Sequence, residues 1–500
     1  MPEPPNLRPA TRDELTQSLS FALRFNGRKR VHDADEMMAR ITAERLAAVR
    51  HFRPHAGSGR RLYDNIKRLL SDAEVQTNLH AWKLEPEVDP TASGLSRGDL
   101  LVLYLAWLTD RSLEVLAPLI ATSGLPLPAG SDLRAVPRRY AIPCFEDTHN
   151  DGRGKSRAAW ARQVMRQALL RGQVLADTLA GRWERLAARQ LVSLMEELRA
   201  LDVTPLGHLL AEGADVREPV AAGASRFSSG ILSQTGAGLT RRALLVVDAG
   251  AGTTDFAMFE VATGADRPPR YALVRNSVRM STVAGNTADL VLKPLVLDAC
   301  GIGSGSGAPR PADDLTFIRN DLDSRIRELK QILVSRGSVD TALSLNATGR
   351  LLLESFTHAM QPHATELRVI RDAIVASTFT SEVRSGIAPF GQTGEPYDVR
   401  VLLTGGSAAL AAVDALARGQ LAIADFRIRF SPITEMPDWI TKLPADVARA
   451  VAAAYPQCAV AIGGSAAELP HEIEDLREMV APPPPGPRVL VPTRMSGPLD

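Results

Sequence analysis

Five hundred residues exceed one ordinary domain and point to two or three lobes, and 45% hydrophobic with 23% charged residues is the balance of a chain that builds a core. The 58 basic residues against 57 acidic ones leave a net charge of +1, which gives no case for a nucleic-acid or anionic-membrane partner. Three cysteines are too few and too scattered for a disulfide scaffold or a zinc site; with no membrane-length apolar run and a polar, proline-bearing start unlike a signal peptide, the expected location is cytoplasmic.

Residues 1–55 read as a basic helical segment, with helices over Ser18–Arg30 and Ala34–Phe52 and a turn at Phe25-Asn26-Gly27. The cluster Arg24, Arg28, Lys29, Arg30 reads as a solvated face. His51 and His55 have the spacing of helical metal ligands, but Pro54 breaks the helix between them. Residues 56–60 form a linker, and residues 56–480 are expected to be one folded unit. Leu62–Ser71 and Leu95–Thr109 read as helical. A strand over Arg139–Cys144 runs into a polar loop, Glu146–Lys155, then a helix Ser156–Leu179 and another ending near Leu201. The GRGKS at 152–156 is not a P-loop, because His149 stands where the first glycine belongs.

The stretch 243–261 carries the most information. An apolar strand, Ala243–Val247, ends in Asp248; the turn Gly250-Ala251-Gly252-Thr253-Thr254 follows, then Asp255 and an alternating strand through Phe256, Met258 and Val261. Glycines let a backbone approach a phosphate and offer its N–H groups, the threonine hydroxyls can donate to phosphate oxygens, and two carboxylates can hold hydrated Mg²⁺. Two acids, two glycines and two threonines in eight positions exceed what an Asp/Gly hairpin turn needs. A strand Ala272–Arg275, a turn at Gly285 and a helix through Leu297 come next, then a flexible loop Gly301–Pro311 and an amphipathic helix Asp314–Val334. Val399–Leu403 reads as a buried strand opening through Thr404-Gly405-Gly406-Ser407 into a helix, Ala408–Ala417, an arrangement that suits a ligand at a helix N-terminus. The proline-rich tail, 481–500, reads as disordered. Strands alternating with helices predict an α/β fold.

The Asp248–Asp255 loop resembles the second phosphate loop of the actin-like ATPase superfamily, in the nucleotide-binding domain of the seventy-kilodalton heat-shock (DnaK-type) chaperones, with Ala251 in place of one glycine. Further segments fall in that family's order. Ala141–Phe145, Arg217–Ala222, Ile66–Leu70, Thr282–Leu290, Arg327–Leu333, Gly405–Ser407 and Cys458–Gly464 are each similar to one of its motifs. The resemblance implies a two-lobed actin-like (ribonuclease H-like) fold that binds ATP or ADP with Mg²⁺. Asp248, Asp255 and Glu218 would hold the metal and its waters, and Gly250, Ala251, Gly252, Thr253 and Thr254 the phosphates. Lys330, Gly405, Gly406 and Ser407 would lie along adenosine, while Lys67, Asp255 and Glu218 would serve the attacking water. It implies a partner protein that reads lobe closure.

Two family features are missing. No first phosphate loop precedes Lys67, so the first lobe is expected to lack its opening strands and hydrolysis to be weak or absent. No peptide-binding domain is expected after residue 466. A non-catalytic interaction protein on a degenerate version of this fold is the alternative, and a sugar or acetate kinase of the same superfamily a third reading.

Overall fold

Of the 500 residues, the computed structural model describes 66, 69–72, 78–86, 88–89, 92–123, 136–144, 153–179, 188–227, 240–264, 267–302, 311–384, 396–423, 426–441, 445–466 and 469–473. Lys67, the segment 1–55 and the tail 481–500 therefore lie outside the described residues. The fold is mixed α/β, as the alternation of elements predicts.

The N-terminal unit is helical with a small sheet. Helix α1, Arg97–Ser123, packs on α2, Arg153–Leu179. Gly172 lets them close, since a Cβ there would stand 3.0 Å from the Ala106 backbone nitrogen. With α3, Ala188–Ala200, they bury Leu100, Leu103, Leu175, Leu191 and Met195 in one core. Beside them β1, Arg138–Ile142, pairs in parallel with β2, Leu210–Arg217, and the chain leaves β2 directly into α4, Glu218–Phe227. These are the two strands of this unit among the described residues.

The larger unit is a mixed sheet of eight strands. Strand β3, Thr240–Ala249, β4, Thr254–Gly264, and β5, Arg267–Val274, form an antiparallel meander, and β6, Arg279–Ser281, extends it against β4. Helices α5, Gly285–Ala299, and α6, Ala312–Arg336, follow, then the hairpin of β7, Ser338–Leu343, and β8, Ala347–Leu352. After α7, Leu353–Ala359, and α8, Gln361–Arg384, strand β9, Tyr397–Thr404, slots in parallel beside β3. Strands β10, Gln420–Ile423, and β11, Phe426–Pro432, complete that edge; α9, Ala445–Gly464, crosses behind, and β12, His471–Ile473, joins β5.

The meander is covered on both sides, which corrects the expectation of a merely alternating β4. Phe256 and Met258 enter one core with Leu292, Leu333 and Phe379 from the helices α5, α6 and α8. Phe259 and Val261 enter another with Val220 of α4 and Tyr455 of α9. A strand buried on both faces reads as a continuous apolar run.

Gly463 of α9 sits so close to α4 that a Cβ would overlap the Ala221 carbonyl. Just beyond, Arg139 of β1 donates from Nη1 to Gly464 O (3.4 Å) and to Ala466 O. The last long helix thus ties the two units together. No helix among the described residues is long and apolar enough to cross a membrane.

Candidate functional site

Three segments distant in sequence meet at the β3–β4 turn. The ladder sets Asp248 opposite Asp255, and Gly250 N–H closes the turn by donating to Thr253 O at 2.9 Å. Ala251 takes no positive φ, so its methyl group introduces no strain in the turn. Among the described residues, no backbone carbonyl receives the N–H groups of Ala251, Gly252 or Thr253.

Strand β9 approaches from one side. Its end residue, Thr404, lies opposite Asp248 in the parallel register and donates from Oγ1 to Asp248 Oδ1 at 2.9 Å. The chain then swings at Gly405, whose φ of +87° and contact with the Ala249 backbone leave no room for a side chain. Gly405 N–H donates to Pro456 O of α9 (2.6 Å), Ser407 N–H to Ala249 O (2.9 Å) and Ser407 Oγ to Gly250 O (2.9 Å). Gly406 is exposed and faces open space.

Helix α5 approaches from the other side. Gly285 N–H donates to Gly250 O (3.1 Å) and Asn286 N–H to Ala251 O (2.7 Å). A Cβ on Gly285 would stand 2.5 Å from Ser407 Oγ, so this glycine is where all three segments touch. Lys330 of α6 donates to Gly285 O (2.9 Å) and pairs with Asp289 at 2.6 Å.

The acids sit deeper than the sequence implied. Asp248 is 3% exposed, Asp255 fully buried and Glu218 4% exposed. Asp255 accepts the Cys144 N–H at 2.9 Å and the Thr253 hydroxyl at 2.6 Å. Burial pushes the Cys144 thiol well above its usual value, and the nearby Asp255 and Glu218 carboxylates push it the same way against Arg217. Cys144 therefore marks one buried neighbourhood that joins the end of β1, the start of α4 and the hairpin.

Two expectations need correction. The Thr253 and Thr254 hydroxyls, expected on phosphate, donate to Asp255 Oδ2 and Val283 O (2.7 Å). Nor does the helix begin at Ala408 as expected: a turn intervenes, with Leu410 N–H donating to Ser407 O, and the helical segment is the α turn Ala411–Asp414 continued by a 3₁₀ turn, Ala415–Ala417. Thr404, Asn286 and Cys144 were not among the expected site residues, although Thr404 and Cys144 lie in segments the sequence marks. Thr404 could have been found as the strand-end hydroxyl beside the two glycines, whereas Asn286 and Cys144 carry no local signal of a role there.

No known family model matches the chain, and it matches no curated protein in sequence.

Proposed function

We propose that this is an actin-like, two-lobed nucleotide-binding protein of the heat-shock-chaperone type, which binds ATP or ADP with Mg²⁺ and signals lobe closure to a partner protein with little or no hydrolysis. The observation that carries the reading is the meeting of Gly250–Thr253, Gly405–Ser407 and Gly285 at one point, with Lys330 anchored beside it. Unaccepted N–H groups on a Gly-rich turn suit phosphate.

Among the described residues no three acidic, histidine or cysteine side chains cluster to cage a metal ion, and Mg²⁺ does not require such a cage. That ion keeps most of its waters and takes one or two carboxylates plus phosphate oxygens. Asp248, Asp255 and Glu218 would hold metal waters, while Ser407 and Lys330 would border the nucleoside. When bound, the ion would neutralise charge on the phosphates. The interaction-protein alternative rests on the N-terminal unit, where β1 and β2 are the strands described and no first phosphate loop stands among them.

Calorimetric titration with ATP and a non-hydrolysable analogue, with and without Mg²⁺, tests the reading. Binding should depend on Mg²⁺ and weaken in Asp248→Asn. Thr253→Ala, which takes a hydroxyl from Asp255, should lower affinity by about 1–2 kcal/mol. Absence of heat at millimolar nucleotide leaves the interaction protein standing.

A further inference from the structure

Away from the hairpin, two hollows lie side by side along α2. One, of about 310 Å³, opens between α2, the start of α1 and Asn78–His80; the other, of about 420 Å³, between α2, the end of α3 and Leu201–Thr204. Gln163, Gln167 and Arg171, four residues apart and so on one helical stripe, line both. Trp160 and Leu101 give the first hollow an apolar wall, and Arg166 and Arg199 give the second a cationic one.

The charges in these walls do not cancel. Arg199 is matched by Asp99, but among the described residues no carboxylate pairs with Arg166 or Arg171. Arg171 spends one Nη2 proton on Arg199 O at 3.3 Å, yet its buried Nε has no acceptor, and burial presses its guanidinium below the usual range. Arg166 Nη2 lies against Gly207, where a Cβ would stand 2.9 Å away. The acid on the lining, Asp202, already accepts Thr204 N–H at 2.9 Å. Beneath, buried Asp99 holds His80 of the first hollow at 3.1 Å and Arg199 of the second at 2.9 Å, so one carboxylate fixes a wall of each. The Arg171 Nη1 carries no hydrogen bond among the described residues, and a half-buried guanidinium with that N–H group left over, set beside the Gln163 and Gln167 amides and an aromatic wall, can receive an anion. The volumes fall in the range of small-molecule sites.

We propose that the two hollows form one site for a small organic anion, its phosphate or carboxylate on Arg171 and Arg166 and its apolar body against Trp160 and Leu101. The site is separate from the nucleotide reading and stands or falls without it.

The test is titration of the full chain with phenyl phosphate, benzoate, inorganic phosphate and neutral benzyl alcohol, followed by tryptophan fluorescence and by calorimetry. Phenyl phosphate or benzoate should saturate with a dissociation constant below about 1 mM, and which of the two binds tighter separates a phosphate ligand from a carboxylate one. Benzyl alcohol should not bind, and inorganic phosphate should bind more weakly. Arg166→Gln should weaken binding at least about tenfold with an unchanged melting temperature. Arg171→Gln should do the same, but it also releases the α3 carbonyl it holds, so Arg166→Gln decides. Trp160→Leu should remove the fluorescence response, and Thr253→Ala should leave binding intact. Failure of both organic anions to saturate, inorganic phosphate binding as tightly as phenyl phosphate, affinity that survives Arg166→Gln, or affinity lost in Thr253→Ala would each overturn the proposal.

Discussion

Asp99 is a fully buried carboxylate that nonetheless stays ionised. Burial alone would raise its pKa, but hydrogen bonds from His80, Arg199 and Ser96 outweigh burial and bring it from the ordinary 3.8 to about 2. A folded-state value below the unfolded one stabilises above the unfolded value, and that contribution is lost as pH falls from about 4 to about 2. The shift corresponds to about 2 kcal/mol. Urea denaturation across this window should show wild type losing that amount and Asp99→Asn losing much less. The sequence hinted at no such network, because His80 and Arg199 reach Asp99 from other elements. The hairpin acids were legible for the opposite reason: Asp248 and Asp255 announce themselves within eight residues.

Among the elements, the crossing of α9 on α4 is the least tolerant. Glycine inside a helix ordinarily yields about 1 kcal/mol when replaced by alanine. At Gly463 the sign reverses, since the new methyl group would overlap Ala221 O and come within 2.5 Å of Ser225 N, both backbone atoms that cannot swing aside. Gly463→Ala should therefore destabilise by about 2 kcal/mol or more, read as a lowered melting temperature, whereas Gly464→Ala, with no neighbour nearer than 3.8 Å, should be tolerated. Strand β3 was legible as an apolar run, but β2 was not. Its Glu212-Gly213-Ala214-Asp215 reads as a loop, with Gly213 at positive φ, and it becomes a strand because β1 lies alongside to pair with it. The helix expected from Ala408 starts only at Ala411, since the chain after Gly406 spends its hydrogen bonds on Ala249 and Gly250.

Across the whole molecule, the N-terminal unit touches the larger sheet at the candidate site: the Cys144 amide is bonded to Asp255, and Arg139 to the end of α9. Under the proposed function, movement between the units would pull on a buried acid of the site. With water positioned from one side only, turnover should be slow, since a displacement of about 1 Å can cost about a hundredfold. Steady-state ATPase assays should find wild-type turnover feeble and Lys67→Ala lower still. Brisk wild-type turnover would mean that residues 1–55 supply the missing clamp, and equal rates would remove Lys67 from the site. The meeting of Gly285 with Gly250 and Ser407 was not legible, because long-range convergence leaves no mark on local pattern.

The parallel seam between β3 and β9 also bears on how the protein is made. A ribosome releases β3 and β4 well before β9, with α5, α6, the β7–β8 hairpin, α7 and α8 still to come. Throughout that interval the free edge of β3 offers unpaired backbone groups flanked by Leu244, Leu245, Val246 and Val247, with no charge among them to repel another strand. Until Tyr397 and the strand it opens are made, that edge is where two nascent chains would associate, so the hazard of association is set by the length of chain between β3 and β9.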